Sequence, residues 1–227
     1  MMFESYPKVR PVLPEKIKAI YEKQYKENRE GGSAASSVAQ KLESWLHKRV
    51  ASDVEINHTK STLEIGAGTL NHMQYESCPE YDIVEPFSTL FENSENLKKI
   101  RNVYADIFEI PENQTYDRVI SIATFEHVLD LPKLVERSKI LLKDDGVLRV
   151  SIPNEGSFLW TLGWRMTTGL EFAIKYKVDY GHLMRYEHVN NANEIEEVLK
   201  YYFSDVKVRY FGLGPVFSLY RFYECRK

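Results

Sequence analysis

Cysteine, glycine and proline are scarce in this sequence, and their scarcity excludes several classes of protein. The 227 residues include 2 Cys, 11 Gly and 9 Pro. Cys78 and Cys225 are too few for a disulfide framework, and no Cys-x-x-Cys pair is present to hold zinc. The low Gly and Pro counts also exclude collagen-like and low-complexity chains. We therefore expect a globular protein of a reducing, cytoplasmic compartment.

Long apolar runs and a strong excess of charge of one sign are also missing. The most apolar region is interrupted by Gly163, Arg165, Gly169 and Glu171, so no segment approaches the roughly 20 apolar residues that span a bilayer. The N-terminal residues show neither the basic stretch nor the apolar run of a signal peptide. The net charge is −3, which gives no overall field that attracts a nucleic-acid backbone. The sequence predicts neither a membrane segment nor a nucleic-acid partner.

The residues that are present suit a single α/β domain. Hydrophobic residues make up 43% of the chain and aromatic residues 13%, which is enough for a substantial core. Helical periodicity is visible at 14–28, 36–52, 132–142 and 193–202. Short apolar strands alternate with helical stretches, which predicts a parallel sheet covered by helices, closed by an antiparallel hairpin. The predicted strands are Thr62–Ile65, Tyr81–Val84, Val119–Ile122, Val147–Ile152, Val206–Tyr210 and Phe217–Glu224.

Glycines and acidic residues follow the first strands in a suggestive order. Gly66 and Gly68 allow a tight turn after the first strand and a close approach of a ligand to the backbone. Glu64 precedes that turn. Glu85 follows the second predicted strand, and Asp106 lies 21 residues further along the chain, where another strand is expected to end. Because the carboxyl ends of parallel strands meet at one edge of the sheet, the three carboxylates are expected to line one crevice.

The charge of this crevice selects among nucleotide ligands. No Lys or Arg stands near the glycines to hold a phosphate, and Glu64 would repel a pyrophosphate. Asn71 occupies the place of the third glycine of a dinucleotide fingerprint. S-adenosylmethionine carries an ammonium, a sulfonium and a ribose but no phosphate, so the acids favour it over a nicotinamide cofactor.

Several strings in the first two thirds of the chain resemble class I S-adenosylmethionine-dependent methyltransferases of the small-molecule, methyltransferase type 11 kind. The resemblance implies a Rossmann-like, doubly wound α/β sheet of about seven strands with an antiparallel last strand. It departs from the family at Leu70, where a third glycine is common and a side chain is expected to narrow the loop. The strings are Leu-Glu-Ile-Gly-Ala-Gly at 63–68, Ile-Val-Glu-Pro at 83–86, Ala-Asp-Ile at 105–107, Tyr-Asp-Arg-Val-Ile at 116–120 and Phe-Glu-His-Val at 125–128.

The resemblance also divides the single domain, residues 1–227, into four parts. They are an N-terminal helical cap at 1–58, a cofactor-binding core at 59–154, an inserted substrate lid at 155–190, and a closing helix and hairpin at 191–227.

The cofactor-binding residues that the resemblance implies lie at strand ends and in the cap. Asp106 would accept a hydrogen bond from the adenine amino group, or it caps a turn instead. Tyr25 and Arg29 would close over the cofactor, or they pack and form an ion pair. The full set is Glu64, Gly66, Ala67, Gly68, Ala123 and Thr124 around the methionine end, Glu85 and Pro86 at the ribose, Asp106 and Ile107 at the adenine, and Tyr25 and Arg29 in the cap. The expected product is S-adenosylhomocysteine.

Two histidines are candidates for catalysis. His127 follows the fourth strand close to the expected methyl position, although it also suits a structural histidine bonded to backbone. His182 lies in the lid beside Arg185. In related quinone-pathway methyltransferases a similar Glu-His pair belongs to a metal site with a further Glu three residues earlier. Ala123 holds that position here, so no metal is predicted.

The lid combines aromatic and basic residues, which suits a small polar acceptor. The expected reaction is methylation of an oxygen or nitrogen, with a sugar-nucleotide or phosphorylated precursor of a surface glycan as the candidate acceptor. Three alternatives stay open: a methyltransferase of a quinone or aromatic metabolite, a nicotinamide-dependent dehydrogenase, and a non-catalytic S-adenosylmethionine-binding protein. Monomer and homodimer are not distinguished.

Overall fold

A seven-stranded mixed sheet organises the protein. The computed structural model describes residues 3–21, 37–56 and 61–227, without the side chains of 37–42, 55 and 56. The strands stand in the order β3-β2-β1-β4-β5-β7-β6. Their bounds are Thr62–Ile65 (β1), Tyr81–Val84 (β2), Asn102–Tyr104 (β3), Tyr116–Ile122 (β4), Leu142–Pro153 (β5), Asp205–Leu213 (β6) and Phe217–Arg226 (β7).

The strand directions confirm the predicted fold class. Strands β1 to β5 pair in parallel, whereas β7 pairs antiparallel with both β5 and β6. The carboxyl ends of β1 and β4 are therefore adjacent in the middle of the sheet. This is the point where the direction of winding changes, which is where open α/β sheets bind ligands.

The described helices agree with the sequence periodicity at 36–52, 132–142 and 193–202, whereas of the predicted helix 14–28 only 15–21 lies within the described residues. The connection between β1 and β2 is not a long helix. There the chain forms only the 3-10 turn Asn71–Tyr75 instead of a helix, because Leu70 is left-handed with φ 62° and Pro79 follows shortly. The helix before β1 packs over β4, β5 and β7 and reaches this turn. The helices are 15–21 (α1, its described part), Ser37–Val50 (α2), Leu131–Leu141 (α3), Phe158–Trp164 (α4), Leu170–Tyr176 (α5), Gly181–Glu187 (α6) and Ala192–Tyr202 (α7).

Alternation along the strands separates two cores on the two faces of the sheet. Leu63 and Ile65 of β1 pack on the face covered by α3 and α7. Ile120 and Ile122 of β4 pack on the opposite face, with Leu46 of α2. Glu64 lies between Leu63 and Ile65 and therefore belongs to the α2 face, beneath the glycine turn.

Two buried arginines fasten α2 to the sheet. Arg149 of β5 donates from Nε to the carbonyl of Val50 at 2.8 Å and from Nη2 to that of Arg49 at 2.9 Å. Arg118 of β4 is fully buried and ion-paired with Glu76 at 2.9 Å. Cationic side chains at the carboxyl end of a helix satisfy its free carbonyls and complement its dipole. The sheet thus fixes α2 beside the glycine turn that follows β1.

A third, smaller core joins the N-terminal segment to the inserted helices. Leu13 and Ile17 pack against Phe172 of α5 and Leu183 of α6. Lys8 reaches Glu194 of α7 at 2.6 Å. None of the helices within the described ranges is long and apolar enough to cross a membrane.

Candidate active site

The turn after β1 lies directly against the turn after β4. Gly66 has φ +75°, and a Cβ built on it would lie 2.2 Å from Oγ1 of Thr124. Only glycine therefore fits this contact. Ala123 adopts φ 49°, a strained conformation for a residue with a side chain and one often found at functional sites. Gly66 and Ala123 line both of the cavities described below.

Leu70 takes the left-handed conformation that glycine supplies elsewhere, but it does not narrow the loop as expected from the sequence. Its φ is 62°, and its side chain is fully buried in the core on the α2 face. It is absent from the lining of the cavities at the glycine turn. The loop therefore keeps its backbone accessible despite the missing glycine.

The smaller cavity, of about 150 Å³, lies between the glycine turn and α2. Its lining includes Glu64, Gly66, Ala67 and Gly68. Glu64 is 2% exposed and accepts a hydrogen bond from the Tyr81 hydroxyl at 2.8 Å. Burial raises the pKa of the Glu64 carboxyl to about 7, although the nearby His72 and Tyr81 oppose the shift.

A pair of stacked histidines forms another wall of this cavity. His47 of α2 and His72 meet through their Nδ1 atoms at 3.0 Å, and His72 Nε2 lies 2.9 Å from Glu76. A carboxylate only accepts, so His72 donates from Nε2 and, when neutral, accepts from His47 at Nδ1. Burial and the neighbouring His72 lower the pKa of His47 to about 4. A neutral His47 thus has an Nε2 lone pair beside the cavity.

The larger cavity, of about 630 Å³, opens at the carboxyl end of β2 and extends toward α6. Glu85 and Pro86 line it. Glu85 is 7% exposed and accepts from the backbone N–H of Gly68 at 2.9 Å and of Phe87 at 3.0 Å. These bonds orient the Glu85 carboxylate. Each of its oxygens has a further lone pair, which can accept a hydrogen bond from a ligand.

The third predicted acid, Asp106, is less directly placed. It is exposed, and its Oδ1 accepts from the backbone N–H of Phe108 at 3.0 Å, so it caps the 3-10 turn that begins at Ile107. Ile107 is 1% exposed and belongs to the core beneath α3. Neither residue lines the larger cavity. Contact of Asp106 and Ile107 with adenine stays a prediction.

The far end of the larger cavity is built by three distant segments. Arg10 donates to the carbonyls of Tyr186, Glu187 and His127 and lies over the Tyr186 ring at 5.2 Å. Tyr21 of α1 also lines this end. One arginine of the N-terminal segment therefore ties the end of α6 to the turn after β4.

The two histidines predicted to be catalytic have different positions. His127 lines the larger cavity, and its Nδ1 donates to the carbonyl of Glu187 at 2.9 Å. The His182 side chain is 45% exposed and lies 3.7 Å from the Asp179 carboxylate. It is absent from the lining of the cavities described above, so the geometry brings His127 and not His182 to the site. Tyr25 and Arg29 lie outside the described residues.

A third group of side chains, Glu126, His127 and His188, has the composition of a metal site. One oxygen of Glu126 and one nitrogen from each ring lie within 4.8 Å of one another. The absence of a metal predicted from Ala123 took no account of His188, which comes from the other end of the inserted segment.

Sequence reasoning missed His47, His72 and Arg10. The histidines lie in segments without any family string, and Arg10 is far in sequence from every residue that it binds. The one available signal was the pair of histidines in helical or turn segments that flank β1.

Comparisons with known proteins identify the family and the fold of the chain. The sequence model of a family described as "Methyltransferase domain" matches residues 34–202. None of the curated proteins matches the chain.

Solved structures share the fold at low sequence identity. A protein of Thermotoga maritima, described as an S-adenosylmethionine-dependent methyltransferase and possible histamine N-methyltransferase, is 17% identical with a TM-score of 0.55, over 83% of this chain and 96% of that one. A methyltransferase of Archaeoglobus fulgidus is 16% identical with a TM-score of 0.59, over 91% and 100%. The 1,6-didemethyltoxoflavin-N1-methyltransferase of Burkholderia thailandensis, solved with its substrate and S-adenosylhomocysteine, is 13% identical with a TM-score of 0.61, over 97% and 92%.

Proposed function

The chain belongs to the methyltransferase-domain family and is an S-adenosylmethionine-dependent methyltransferase, and we propose that it acts on small molecules and methylates an oxygen or nitrogen of a small polar metabolite. The first candidates are sugar-nucleotide or phosphorylated precursors of a surface glycan. The observation that carries this proposal is the pair of cavities that share Gly66 and Ala123.

The smaller cavity suits the methionine end of the cofactor. Glu64 and the neutral His47 offer acceptors to the ammonium group, and the backbone of Gly66 to Gly68 surrounds the chain of the amino acid. Glu85 in the larger cavity suits the two ribose hydroxyls. With the cofactor placed in this way, its methyl group would point toward Ala123 and Thr124 and then into the far end of the larger cavity.

The polarity of that far end supports a polar acceptor. Arg10, His127 and Glu187 line it together with Tyr21 and Tyr186. An arginine recognises phosphate or carboxylate oxygens, and aromatic rings stack on planar or sugar faces. A quinone would offer no anionic oxygen to the Arg10 N–H groups that remain beside its three bonds to backbone carbonyls, which is costly in a partly closed site. The volume beyond Thr124 also argues against a protein that binds the cofactor but no acceptor.

The reaction itself demands little covalent chemistry from the protein. The acceptor atom attacks the sulfonium methyl group in line, the carbon–sulfur bond breaks, and S-adenosylhomocysteine leaves while the acceptor releases a proton. Positioning of the two reactants and exclusion of water can supply most of the acceleration. The strained turn at Ala123 and the Gly66–Thr124 contact hold the walls that set this alignment.

The first experiment is calorimetric titration with S-adenosylmethionine, S-adenosylhomocysteine and NAD, followed by transfer of labelled methyl groups to a panel of acceptors. We expect the two sulfur compounds to bind at micromolar concentration and the label to reach sugar nucleotides or sugar phosphates. Label on quinols alone would replace this proposal by the quinone alternative. Binding of the cofactor without transfer to any class would favour the non-catalytic alternative.

Arg10 provides a sharper test of the acceptor class. Arg10→Lys keeps the charge but loses the planar fork, so we expect the KM for a phosphorylated acceptor to rise about tenfold, equal to about 1.4 kcal/mol, with an unchanged affinity for S-adenosylhomocysteine. Lys8→Gln is the matched control, because Lys8 bonds Val189 and Glu194 outside the cavity. An equal effect of both substitutions on KM would contradict the role given to Arg10.

A further inference from the structure

We propose that Glu126, His127 and His188 bind one divalent first-row transition-metal ion beside the larger cavity, at the end that His127 lines. Two imidazoles and one carboxylate offer atoms that all lie within 4.8 Å of one another. They come from two distant segments, the 3-10 turn Phe125–His127 after β4 and the residue that follows α6. Such convergence of ligands is what a metal site requires.

The hydrogen bonds of the two rings determine which nitrogen is available. His127 Nδ1 lies 2.9 Å from the carbonyl oxygen of Glu187, and His188 Nδ1 lies 2.9 Å from Oε2 of Glu155. Both oxygens can only accept, so both Nδ1 atoms carry a proton, and in the neutral rings the Nε2 lone pairs are available to bind a cation. His127 Nε2 lies 3.8 Å from Oε1 of Glu126. Metal-binding histidines are commonly oriented by such bonds to a carbonyl and a carboxylate.

The carboxylate of Glu126 lacks the partner that a buried charge requires. Glu126 is 1% exposed, and its Oε2 atom has no hydrogen-bond partner among the described residues. A buried carboxylate in this condition is costly unless it takes up a proton or binds a cation. The nearby carboxylates of Glu155 and Glu187 add negative charge, whereas the Arg10 guanidinium donates to backbone carbonyls and not to these carboxylates. A dication would balance this charge.

Asn190 holds the turn after β4 and the residues after α6 next to each other. Its side-chain amide donates to the carbonyls of Phe125 at 2.9 Å and Val128 at 2.7 Å, and its backbone N–H donates to the carbonyl of Glu126 at 3.1 Å. Asn190 is fully buried. The position of His188 beside Glu126 is therefore fixed by bonds two residues away and does not depend on the metal.

The ligand atoms select the kind of metal. Two imidazole nitrogens with one carboxylate oxygen suit Zn²⁺, Fe²⁺, Co²⁺ or Mn²⁺ better than Mg²⁺ or Ca²⁺, which prefer oxygen ligands. Three protein ligands leave coordination positions open, and His127 lines the cavity, so an acceptor oxygen could occupy one of them. That role rests on the proposed function, whereas binding of the metal does not.

The test is titration of chelator-treated protein with Zn²⁺ by calorimetry and with Co²⁺ by visible absorption. We expect one equivalent to bind and the Co²⁺ spectrum to show nitrogen ligands. Glu126→Gln and His188→Ala should each weaken binding by more than about 100-fold, and Glu155→Gln by about 10–100-fold, because that is the usual contribution of a residue that orients a ligand.

The lid histidine that lies outside the cluster provides the matched control. His182→Ala should retain the metal affinity of the unchanged protein. The proposal is overturned if the unchanged protein binds no stoichiometric metal, or if Glu126→Gln and His188→Ala bind it as tightly as His182→Ala. The affinity for S-adenosylhomocysteine, measured on the same samples, reports whether each variant is folded. Metal binding without cofactor binding would refute the proposed function alone, and the reverse result would refute the metal site alone.

Discussion

Glu64 illustrates how burial changes the contribution of a single residue. Its carboxylate was one reason to prefer a cationic cofactor, yet burial raises its pKa to about 7. The attraction for a ligand ammonium therefore depends on pH near neutrality. Whether Glu64 is ionised near neutral pH depends on its burial. The sequence pattern alone does not reveal that burial.

The raised pKa of Glu64 predicts how cofactor binding responds to pH. The ionised fraction rises about tenfold between pH 6 and pH 8 for a pKa of about 7, so the affinity for S-adenosylhomocysteine should rise by up to about tenfold over this interval. Glu64→Gln should remove most of this dependence, measured by calorimetry at each pH. The same slope in both proteins would show that another group is responsible.

The same shift has a consequence for stability. The pKa of Glu64 is higher in the folded protein than its ordinary value of 4.5, so the unfolded state releases this proton first. The contribution of Glu64 to the free energy of unfolding is complete below pH 4.5 and is lost as the pH rises through about 7. Urea unfolding of the unchanged protein and of Glu64→Gln across this interval measures the difference.

At Gly66, the absence of a Cβ atom allows the turn to lie against Thr124. Gly66→Ala places a Cβ 2.2 Å from Oγ1 and 2.9 Å from Cβ of Thr124, so the turn must move. We expect S-adenosylhomocysteine binding to fall by at least about 100-fold, because binding depends on a close approach of the backbone.

Gly214→Ala is the matched control for Gly66→Ala. Its φ is +71°, close to the +75° of Gly66, but a Cβ there meets nothing within 4 Å. Both variants pay about 1–2 kcal/mol for the left-handed conformation, so the difference between them isolates the contact with Thr124. Equal cofactor affinities would mean that this contact does not shape the site.

At the scale of the elements, the position of α2 is the least expected feature. The sequence predicts the helix but not the surface that it covers, since its stripe of apolar residues fits either face of a sheet. Arg118 and Arg149 determine which face of the sheet α2 covers, because they donate hydrogen bonds to the carbonyls at its carboxyl end. The helix thereby brings Leu46 and His47 to the cofactor cavity.

Removal of one of these arginines should loosen α2. We expect Arg149→Met to reduce the free energy of unfolding by about 2–4 kcal/mol, because it leaves carbonyls and Glu224 without their partner, and to weaken cofactor binding through His47. Arg226→Met is the control on β7, where the arginine is 45% exposed and lies 3.6 Å from Glu224. Guanidinium unfolding and calorimetry measure both effects, and similar losses in the two variants would contradict this role.

At the scale of the whole molecule, the inserted segment and the N-terminal segment form one unit. They share the small core of Leu13, Ile17, Phe172 and Leu183, and Arg10 bonds the end of α6. The wall of the acceptor cavity therefore depends on both. Residues far apart in the sequence therefore shape the larger cavity together.

Phe172 tests this coupling. Phe172→Ala removes a ring that is 3% exposed, a change that usually costs about 3–5 kcal/mol. We expect faster hydrogen exchange in both 3–21 and 170–187, measured by mass spectrometry, while strands β1, β4 and β5 keep their protection. Phe158→Ala is the control, since Phe158 is 61% exposed. Faster exchange in only one of the two segments would show that they open independently.

The sequence by itself determined the sheet, its closing hairpin and the cofactor loop. These features depend on local patterns: alternation within strands, apolar stripes within helices, and the glycines and acids at strand ends that the family strings preserve. Glu64, Gly66 and Gly68 line the smaller cavity, and Gly66 and Glu85 line the larger one; their contact with the cofactor stays a prediction. A pattern that repeats within a few residues specifies its own structure.

The tertiary structure alone decided which distant residues meet. His47 and His72 are 25 residues apart, Arg10 and His127 are 117 apart, and His188 reaches Glu126 only because Asn190 bonds the turn after β4. No local pattern encodes such pairs, because each depends on the packing of α2, the inserted helices and the N-terminal segment upon the sheet. The cofactor loop is thus a property of the sequence, whereas the acceptor end of the site is a property of the fold.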